Sequence, residues 1–159
     1  MTTSTGVRRA EHVLLVGSNG GHLAQLLALR PWWQDRRRTW VTFDRIDSRS
    51  QLEGETCLWG HHPTTRNVPN MLRNLGLAVR VLRSDRPDVV VSTGAGLAFP
   101  FFVVARLLGI FTVFIEVYDR IDNRSLTGRL CRPLSSVFCV QWEEQLALYP
   151  DAEVIGVLL

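Results

Sequence analysis

The sequence predicts a single α/β domain with a Rossmann-like parallel sheet and helices on both faces of that sheet. Short apolar runs recur along the chain, helical patterns separate most of them, and the runs are continuous rather than alternating in polarity. Continuous apolar strands are typical of a parallel sheet that is covered on both faces. The chain has 159 residues, the length of one domain, which we place at 11–159 after a flexible N-terminus at 1–10.

Seven apolar runs are candidate strands. They lie at 12–17, 39–44, 56–60, 88–92, 111–116, 137–141 and 153–157. Helical patterns cover 21–33 and, less clearly, 48–54, and the clearest one covers 67–87. This last helix carries an apolar stripe at spacings of three and four, formed by Val68, Met71, Leu72, Leu75, Val79 and Leu82. Pro87 follows its end.

The apolar stretch from Leu97 to Ile115 has the length of a membrane span. Gly109 divides it, Pro100 suits a first helical turn, and the segment 111–115 is rich in β-branched and aromatic residues. We therefore interpret it as a buried helix followed by a buried strand.

Composition narrows the function classes. The net charge is +3 and 21% of residues are charged, as in a soluble globular protein, and no basic stripe with interleaved aromatics suggests nucleic-acid binding. All 18 basic residues are arginine, which reflects either genomic base composition or a phosphorylated or membrane ligand. The helix near 66–86 carries five arginines against Asp85, so its polar side is either a solvated face or a surface for anionic lipid.

Neither a metal site nor a disulfide is expected. The three cysteines, Cys57, Cys131 and Cys139, have no metal-ligand spacing and favour buried, reduced thiols. His61 and His62 are adjacent without an acidic or cysteine ligand nearby, which favours a solvated loop.

Ligands of such folds bind at the carboxyl ends of the strands, so the residues after each strand are the candidates for a site. "GSNGGH" (17–22) follows the first strand and "STGAG" (92–96) the fourth, and each leads into a helix N-terminus that can bind an anion. His22 is either a general base or a structural cap of its helix. Glu116, at the end of the fifth strand, either faces the ligand or pairs with Arg120 or Arg124.

A dinucleotide cofactor is a weaker alternative. The glycines at 17, 20 and 21 lack the GxGxxG spacing, and Asp44 is the only candidate for a ribose-binding acid. We expect no cofactor.

Five blocks together resemble a known family. "GSNGGHL", "PTTRN", "PDVVVSTGAG", "FIEVYDRIDNRSLTGRL" and "VQWEEQLALYP" occur in this order in bacterial capsule and exopolysaccharide proteins. These proteins are related to the accessory subunit of the eukaryotic UDP-N-acetylglucosamine transferase of asparagine-linked glycosylation. The resemblance implies a fold equivalent to the N-terminal domain of a GT-B glycosyltransferase such as MurG.

The resemblance also implies roles for residues. His22 and Glu116 would be catalytic, with His22 activating the acceptor hydroxyl. The expected acceptor and phosphate ligands are Gly17, Gly20, Gly21, Thr93, Gly94, Gly96, Arg66, Asn67 and Arg120. Thr65 stands where the bacterial pattern usually has asparagine, which leaves that position without an assigned role.

The implied function is that of an acceptor-binding, membrane-associating subunit of a two-component glycosyltransferase. A second subunit would carry the nucleotide-sugar site, and the acceptor would be a polyprenyl-pyrophosphate-linked saccharide. The expected location is cytoplasmic, peripheral on the inner face of the plasma membrane. The alternatives are a non-catalytic membrane recruiter of the catalytic partner and a Rossmann cofactor domain.

Overall fold

The computed structural model describes residues 9–159, so residues 1–8 of the expected flexible N-terminus lie outside the described part. The strands are β1 His12–Gly17, β2 Arg37–Phe43, β3 Cys57–Gly60, β4 Val89–Gly94, β5 Phe111–Ile115, β6 Val137–Val140 and β7 Glu153–Val154. The α-helices are α1 Gly21–Ala28, α2 Arg30–Trp33, α3 Ile46–Gln51, α4 Val68–Asp85, α5 Ala98–Leu108 and α6 Leu126–Cys131. Short 3-10 turns follow at Arg132–Leu134 and Glu143–Ala147.

The strands form one sheet in the order β3-β2-β1-β4-β5-β6-β7, and every neighbouring pair is parallel. Leu14 of β1, for example, lies between Thr39 of β2 and Val90 of β4. The chain builds outward from β1 to β3 and then returns to the other side of β1. The loops after β1 and β4 therefore leave in opposite directions, and such a switch point opens a crevice at the carboxyl ends of the strands.

Each face of the sheet has its own apolar core, which confirms the prediction of helices on both faces. On one face, α4 and α5 pack over the sheet, with Phe101 and Phe102 fully buried. On the other face, α1 and α2 cover the sheet, and the rings of Trp33 and Trp40 meet edge to face at 5.3 Å. Complete burial of one large apolar side chain contributes about 1.5–3 kcal/mol, so these two layers hold the domain together.

The apolar stretch 97–115 forms a helix and a strand, as predicted. Helix α5 ends at Gly109, whose φ of 71° is left-handed and turns the chain back into β5. Across residues 9–159, no helix combines the length and the apolar character that crossing a membrane requires.

Helix α4 forms where the sequence predicts it, but its apolar stripe does not face the core as a whole. Leu82 is buried, whereas four stripe residues remain exposed, namely Val68, Met71, Leu72 and Val79. The buried side of α4 instead carries Asn70, Asn74, Leu77, Ala78, Val81 and Leu82.

Two buried asparagines account for this orientation of α4. The side-chain amide of Asn70 donates to the Pro63 carbonyl at 2.9 Å. Asn74 accepts from the His61 amide at 2.7 Å and donates to the His61 carbonyl at 2.9 Å. Buried backbone groups need such partners, so the loop that precedes α4 is tied to one side of the helix. That side faces inward, and much of the apolar stripe is left at the surface.

Candidate acceptor site at the carboxyl ends of the strands

A cavity of about 720 Å³ opens at the carboxyl ends of β1, β4 and β5. The beginning of α1, the turn after β4, the loop after β5, residues 64–66 and the beginning of α6 line it. Eight predicted site residues lie on its wall: Gly21, His22, Arg66, Thr93, Gly94, Gly96, Glu116 and Arg120. The tertiary structure thus brings together residues that are up to 99 positions apart, from Gly21 to Arg120.

Three other predicted residues lie beside this cavity rather than on its wall. Gly17 ends β1, and Gly20 directly precedes α1 with a left-handed φ of 73°. Asn67 is the N-cap of α4, and its side-chain oxygen accepts from the Asn70 amide at 2.9 Å. Their role in binding a ligand stays a prediction.

His22 is held by two hydrogen bonds to Thr93 near the end of β4. Its Nδ1 lies 2.9 Å from the Thr93 carbonyl oxygen, and the Thr93 hydroxyl donates to the His22 carbonyl at 2.7 Å. A carbonyl oxygen only accepts, so Nδ1 carries the proton in this bond. Nε2 is then the nitrogen whose lone pair can accept a proton from a bound molecule.

The end of β4 allows the His22 ring to approach because residue 94, the last of the strand, is a glycine. A β-carbon at Gly94 would lie 3.2 Å from Cε1 of His22, and the φ of 119° is one that other residues rarely adopt. The next residue, Ala95, also has a positive φ of 63°. Strained backbone of this kind clusters at functional sites, where the surrounding structure maintains it.

Two helices direct their N-termini toward the cavity. Gly21 and His22 begin α1, and Gly96 lies two residues before α5. The first N–H groups of a helix have no carbonyl partner within the helix, and they carry the positive end of its dipole. Together with Arg66 and Arg120 on the wall, these groups make the cavity suitable for a phosphate-bearing ligand.

Glu116 is almost fully buried, with 1% of its surface exposed, and it is surrounded by donors. Its carboxylate accepts from the Ser125 hydroxyl at 2.9 Å, the Tyr149 hydroxyl at 2.7 Å and the Val117 amide at 3.1 Å. Burial and the hydrogen bond to Glu116 raise the pKa of Tyr149 well above its ordinary value. Burial and the nearby Glu116 charge also raise the pKa of Cys131 to about 12.

Of the two interpretations of Glu116, the ion pair with Arg120 or Arg124 is not formed in the described part of the chain. Among residues 9–159, neither arginine lies within ion-pair distance of Glu116. Arg120 donates to Asn123 at 2.8 Å, and the Arg124 guanidinium lies over the Tyr149 ring. Neutral donors from Ser125, Tyr149 and the Val117 amide satisfy the carboxylate instead. The other interpretation, that Glu116 faces the ligand, stays a prediction, because residue 116 borders the cavity but its carboxylate is buried and already bonded to Ser125 and Tyr149.

The loop after β5 is fixed by side chains from the segment after β6. Gln145 donates to the carbonyls of Val117 at 3.0 Å and Arg120 at 3.1 Å, and Trp142 donates to the Tyr118 carbonyl at 2.9 Å. Residues 117–120 line the cavity, so these bonds determine the shape of one wall.

Sequence reasoning missed the supporting residues of the site. Gln141 donates to Gln25 and to the Glu116 carbonyl, and the Ser125 and Tyr149 hydroxyls bind the Glu116 carboxylate. Several of them lie inside the blocks quoted above, "IDNRS" and "VQWEEQLALY". Polar residues directly after an apolar strand were a usable signal, although their partners could not be identified without the fold.

The structure also places the residues considered for a metal and for a dinucleotide. No three histidine, cysteine or acidic side chains among residues 9–159 are grouped closely enough to hold a metal ion. Asp44 forms an ion pair with Arg49, with oxygen and nitrogen 2.8 Å apart, and this pairing lowers the pKa of Asp44. Asp44, the candidate ligand for the ribose of a dinucleotide, is therefore paired with Arg49.

The fold places the chain in the class of Rossmann-like domains found as the N-terminal domain of GT-B glycosyltransferases. MurG of Acinetobacter baumannii superimposes with a TM-score of 0.69 at 20% identity, covering 84% of this chain and 42% of that one. A UDP-N-acetylglucosamine 2-epimerase from Rickettsia bellii gives 0.72 at 11% identity, covering 94% and 46%. The chain thus spans less than half the length of these solved proteins.

The chain belongs to the Alg14-like family of oligosaccharide biosynthesis proteins, whose model matches residues 61–158. The mouse protein named UDP-N-acetylglucosamine transferase subunit ALG14 is 26% identical in an alignment 185 residues long. The alignment covers 94% of this chain and 83% of the mouse protein. Its Candida albicans counterpart of the same name is 28% identical over 176 residues, covering 96% and 80%.

Proposed function

We propose that this chain is the acceptor-binding, membrane-associating subunit of a two-component glycosyltransferase. A partner subunit presents a UDP-sugar, and the pair transfers the sugar to a polyprenyl-pyrophosphate-linked saccharide in capsule or exopolysaccharide biosynthesis. The division into subunits is supported by the mouse relative, which is named a subunit of a UDP-N-acetylglucosamine transferase. The observation that carries the proposal is the position of His22 in a cavity between two helix N-termini.

The acceptor pyrophosphate binds, in this proposal, between the N-termini of α1 and α5. Gly21 and Gly96 let the backbone approach the phosphates, and Arg66 and Arg120 on the wall add positive charge. Helix N-termini and guanidinium groups bind phosphate through charge-assisted hydrogen bonds. Phosphate binding therefore requires no side chain beyond those on the cavity wall.

His22 removes the proton from the acceptor hydroxyl. The hydroxyl oxygen forms a bond to the anomeric carbon as the bond from that carbon to the UDP oxygen breaks, and UDP leaves with the electron pair. Nε2 of His22 receives the hydroxyl proton because Nδ1 already donates to Thr93. Attack opposite the leaving group inverts the anomeric centre.

The exposed side of α4 rests on the membrane in this proposal, on the cytoplasmic face of the plasma membrane. Apolar Leu72 and Val79 are 58% and 38% exposed, and arginines such as Arg73 and Arg80 follow directly in the sequence. An apolar strip beside arginines suits a surface of anionic lipid, because the apolar residues enter the interface and the cations meet the headgroups. Peripheral contact of this kind needs no spanning helix.

A second candidate function is a non-catalytic recruiter that brings its partner to the membrane. The exposed apolar side of α4 supports it, because that surface would act in docking whatever the role of His22. In this case the bonds between His22 and Thr93 serve only to connect the beginning of α1 to the end of β4.

Replacing His22 with alanine separates the two candidates. Transfer is measured with the partner subunit, a UDP-sugar and a polyprenyl-pyrophosphate-linked acceptor, and assembly is followed by co-purification. We expect His22→Ala to lower kcat by about 10²–10⁴-fold while assembly is retained. His61→Ala is the matched control, since its side chain is exposed and does not belong to the cavity lining.

Two results would contradict the proposed function. Full activity of His22→Ala would exclude His22 as the catalytic base and leave the non-catalytic recruiter as the remaining candidate function. Turnover of UDP-sugar and lipid acceptor by this chain without its partner would exclude the division of the active site between two subunits.

A further inference from the structure

A second depression of about 380 Å³ lies between α4, α5 and α6. It adjoins the cavity at the carboxyl ends of β1, β4 and β5, which we call the main cavity. Its apolar lining comes from Val68, Met71, Phe99, Leu126 and Leu130. We call it the apolar groove. It shares Thr64, Arg66, Gly96, Leu126 and Thr127 with the main cavity, so the two spaces form one continuous cleft.

The apolar side chains of the groove are accessible to solvent. Val68 on α4 is 60% exposed, and Leu126 and Leu130 on α6 are 71% and 42% exposed, and all three line the same depression. Scattered exposed apolar residues are ordinary on a protein surface, but a contiguous apolar patch marks a surface that binds something.

Two polar side chains that line the groove, Asn67 and Asn74, already have partners within the protein. The Asn67 side-chain oxygen caps α4, and the Asn74 amide bonds to both backbone groups of His61. An apolar ligand in the groove therefore leaves none of these groups without a hydrogen bond, and avoids the cost of about 1–3 kcal/mol for each buried unsatisfied group.

The cleft changes character along its length. Arg120, His22 and the two helix N-termini lie at the end formed by the main cavity, and Met71, Phe99 and Leu130 lie at the other end. Such a gradient suits a ligand with an anionic head and an apolar tail that starts directly beside it.

We propose that the apolar groove binds the first isoprene units of the polyprenyl chain of the acceptor. The inference rests on the proposed function, and it assigns the tail next to the pyrophosphate to α4, α5 and α6. Val68 and Met71 line the groove and also belong to the exposed apolar side of α4. A chain that leaves the groove thus passes onto the surface that rests on the membrane.

The test compares two soluble pyrophosphates with tails of different length. Farnesyl pyrophosphate carries three isoprene units and dimethylallyl pyrophosphate one, and both are titrated into the full chain by calorimetry without lipid, at concentrations below aggregation. The wild-type chain should bind the farnesyl compound about tenfold or more tightly, because the longer tail buries more apolar surface.

The double variant M71Q/L130Q should reduce this preference to about twofold or less, because it should weaken the binding of farnesyl pyrophosphate strongly and that of dimethylallyl pyrophosphate, with its single isoprene unit, only slightly. Both side chains are partly exposed, at 40% and 42%, so the domain should still fold. Leu107→Gln is the control, because Leu107 is 80% exposed on α5 outside the groove, and it should keep the wild-type preference.

Three results would contradict the proposal that the apolar groove binds isoprene units. These are equal affinity of the wild-type chain for the two compounds, an undiminished preference in M71Q/L130Q, and an equal loss in Leu107→Gln, which would indicate unspecific apolar adsorption. The proposed function fails by a different result, namely full transfer activity of His22→Ala with the partner, so the two failures are distinguishable.

Discussion

The hydroxyl of Tyr149 donates a 2.7 Å hydrogen bond to the carboxylate of Glu116, and both side chains are sealed from solvent. This bond joins the end of β5 to the segment after β6. A neutral donor thus stands where one of the two interpretations put an arginine, and Glu116 lies at the centre of a hydrogen-bonded cluster beneath one wall of the cavity.

Tyr149→Phe should lower the free energy of unfolding by about 1–3 kcal/mol, because the Glu116 carboxylate loses a buried donor. Urea denaturation measures the change. Tyr118→Phe is the control, since Tyr118 is 42% exposed, and its stability should stay within about 0.5 kcal/mol of the wild type. Equal stability of the two variants would mean that the Tyr149 bond contributes nothing.

Stability should fall at alkaline pH. Burial raises the pKa values of Tyr149, Cys131 and Cys139 in the folded chain, the two thiols to about 12. Above the ordinary pKa values of these groups the unfolded chain loses protons that the folded chain keeps, so the unfolding free energy decreases with pH. Urea titrations between pH 8 and pH 11 should show this decrease, and Tyr149→Phe should show a smaller one. An increase would contradict it.

Gly128→Ala should destabilise the domain by about 1–3 kcal/mol, as overpacked buried sites do. A β-carbon there would overlap Glu116 and lie only 2.7 Å from the Tyr149 hydroxyl and 2.8 Å from the Ser125 hydroxyl. Gly76→Ala is the matched control, because among the described residues nothing lies within 4 Å of the added carbon, and it should stabilise α4 by about 0.5–1 kcal/mol. Thermal unfolding compares the two.

Gly94→Ala should impair transfer more than it impairs folding. The added carbon would lie 3.2 Å from Cε1 of His22 and 3.3 Å from Nδ1, so the ring must shift from the Thr93 carbonyl. Gly109→Ala shares the strain of a left-handed φ but has open space around it within the described chain. If both variants lost stability equally and transfer stayed the same in both, His22 placement would not depend on Gly94.

Gln145→Glu should loosen the wall formed by the loop after β5. The substitution removes the donor to the carbonyls of Val117 and Arg120 and buries a charge at a fully buried position. Hydrogen exchange should become faster in residues 117–125, and stability should fall by about 2–4 kcal/mol. Glu144→Gln, at an exposed neighbouring position, should leave exchange unchanged.

Leu72→Glu should weaken binding to anionic vesicles, because Leu72 lies on the exposed side of α4 and outside the apolar groove. Loss of its apolar contact and added repulsion should lower the partition constant by about tenfold. Vesicle sedimentation measures this, and Leu107→Glu on α5 provides the control. Equal weakening of both variants would show that α4 is not the docking surface.

Several features followed from the sequence alone. Continuous apolar runs predicted the parallel sheet, and β1 has the predicted bounds of 12–17. Gly109 and Pro100 indicated that residues 97–115 are a helix and a strand rather than a membrane span. The motifs after β1, β4 and β5 identified residues that now line one cavity. These predictions succeeded because periodicity, glycine conformation and strand ends are local properties of the chain.

Other features depended on contacts between distant residues. The α4 stripe was visible in the sequence, but the bonds of Asn70 and Asn74 to the preceding loop decided which side faced inward. Tyr149, one hydrogen-bond partner of Glu116, is 33 residues away, so the sequence offered the nearby arginines as possible partners and left that pairing open. The sequence by itself determined the strands, the glycine turns and the candidate base. Only the tertiary structure decided which polar groups meet, because burial leaves each one the partners that the packed fold supplies.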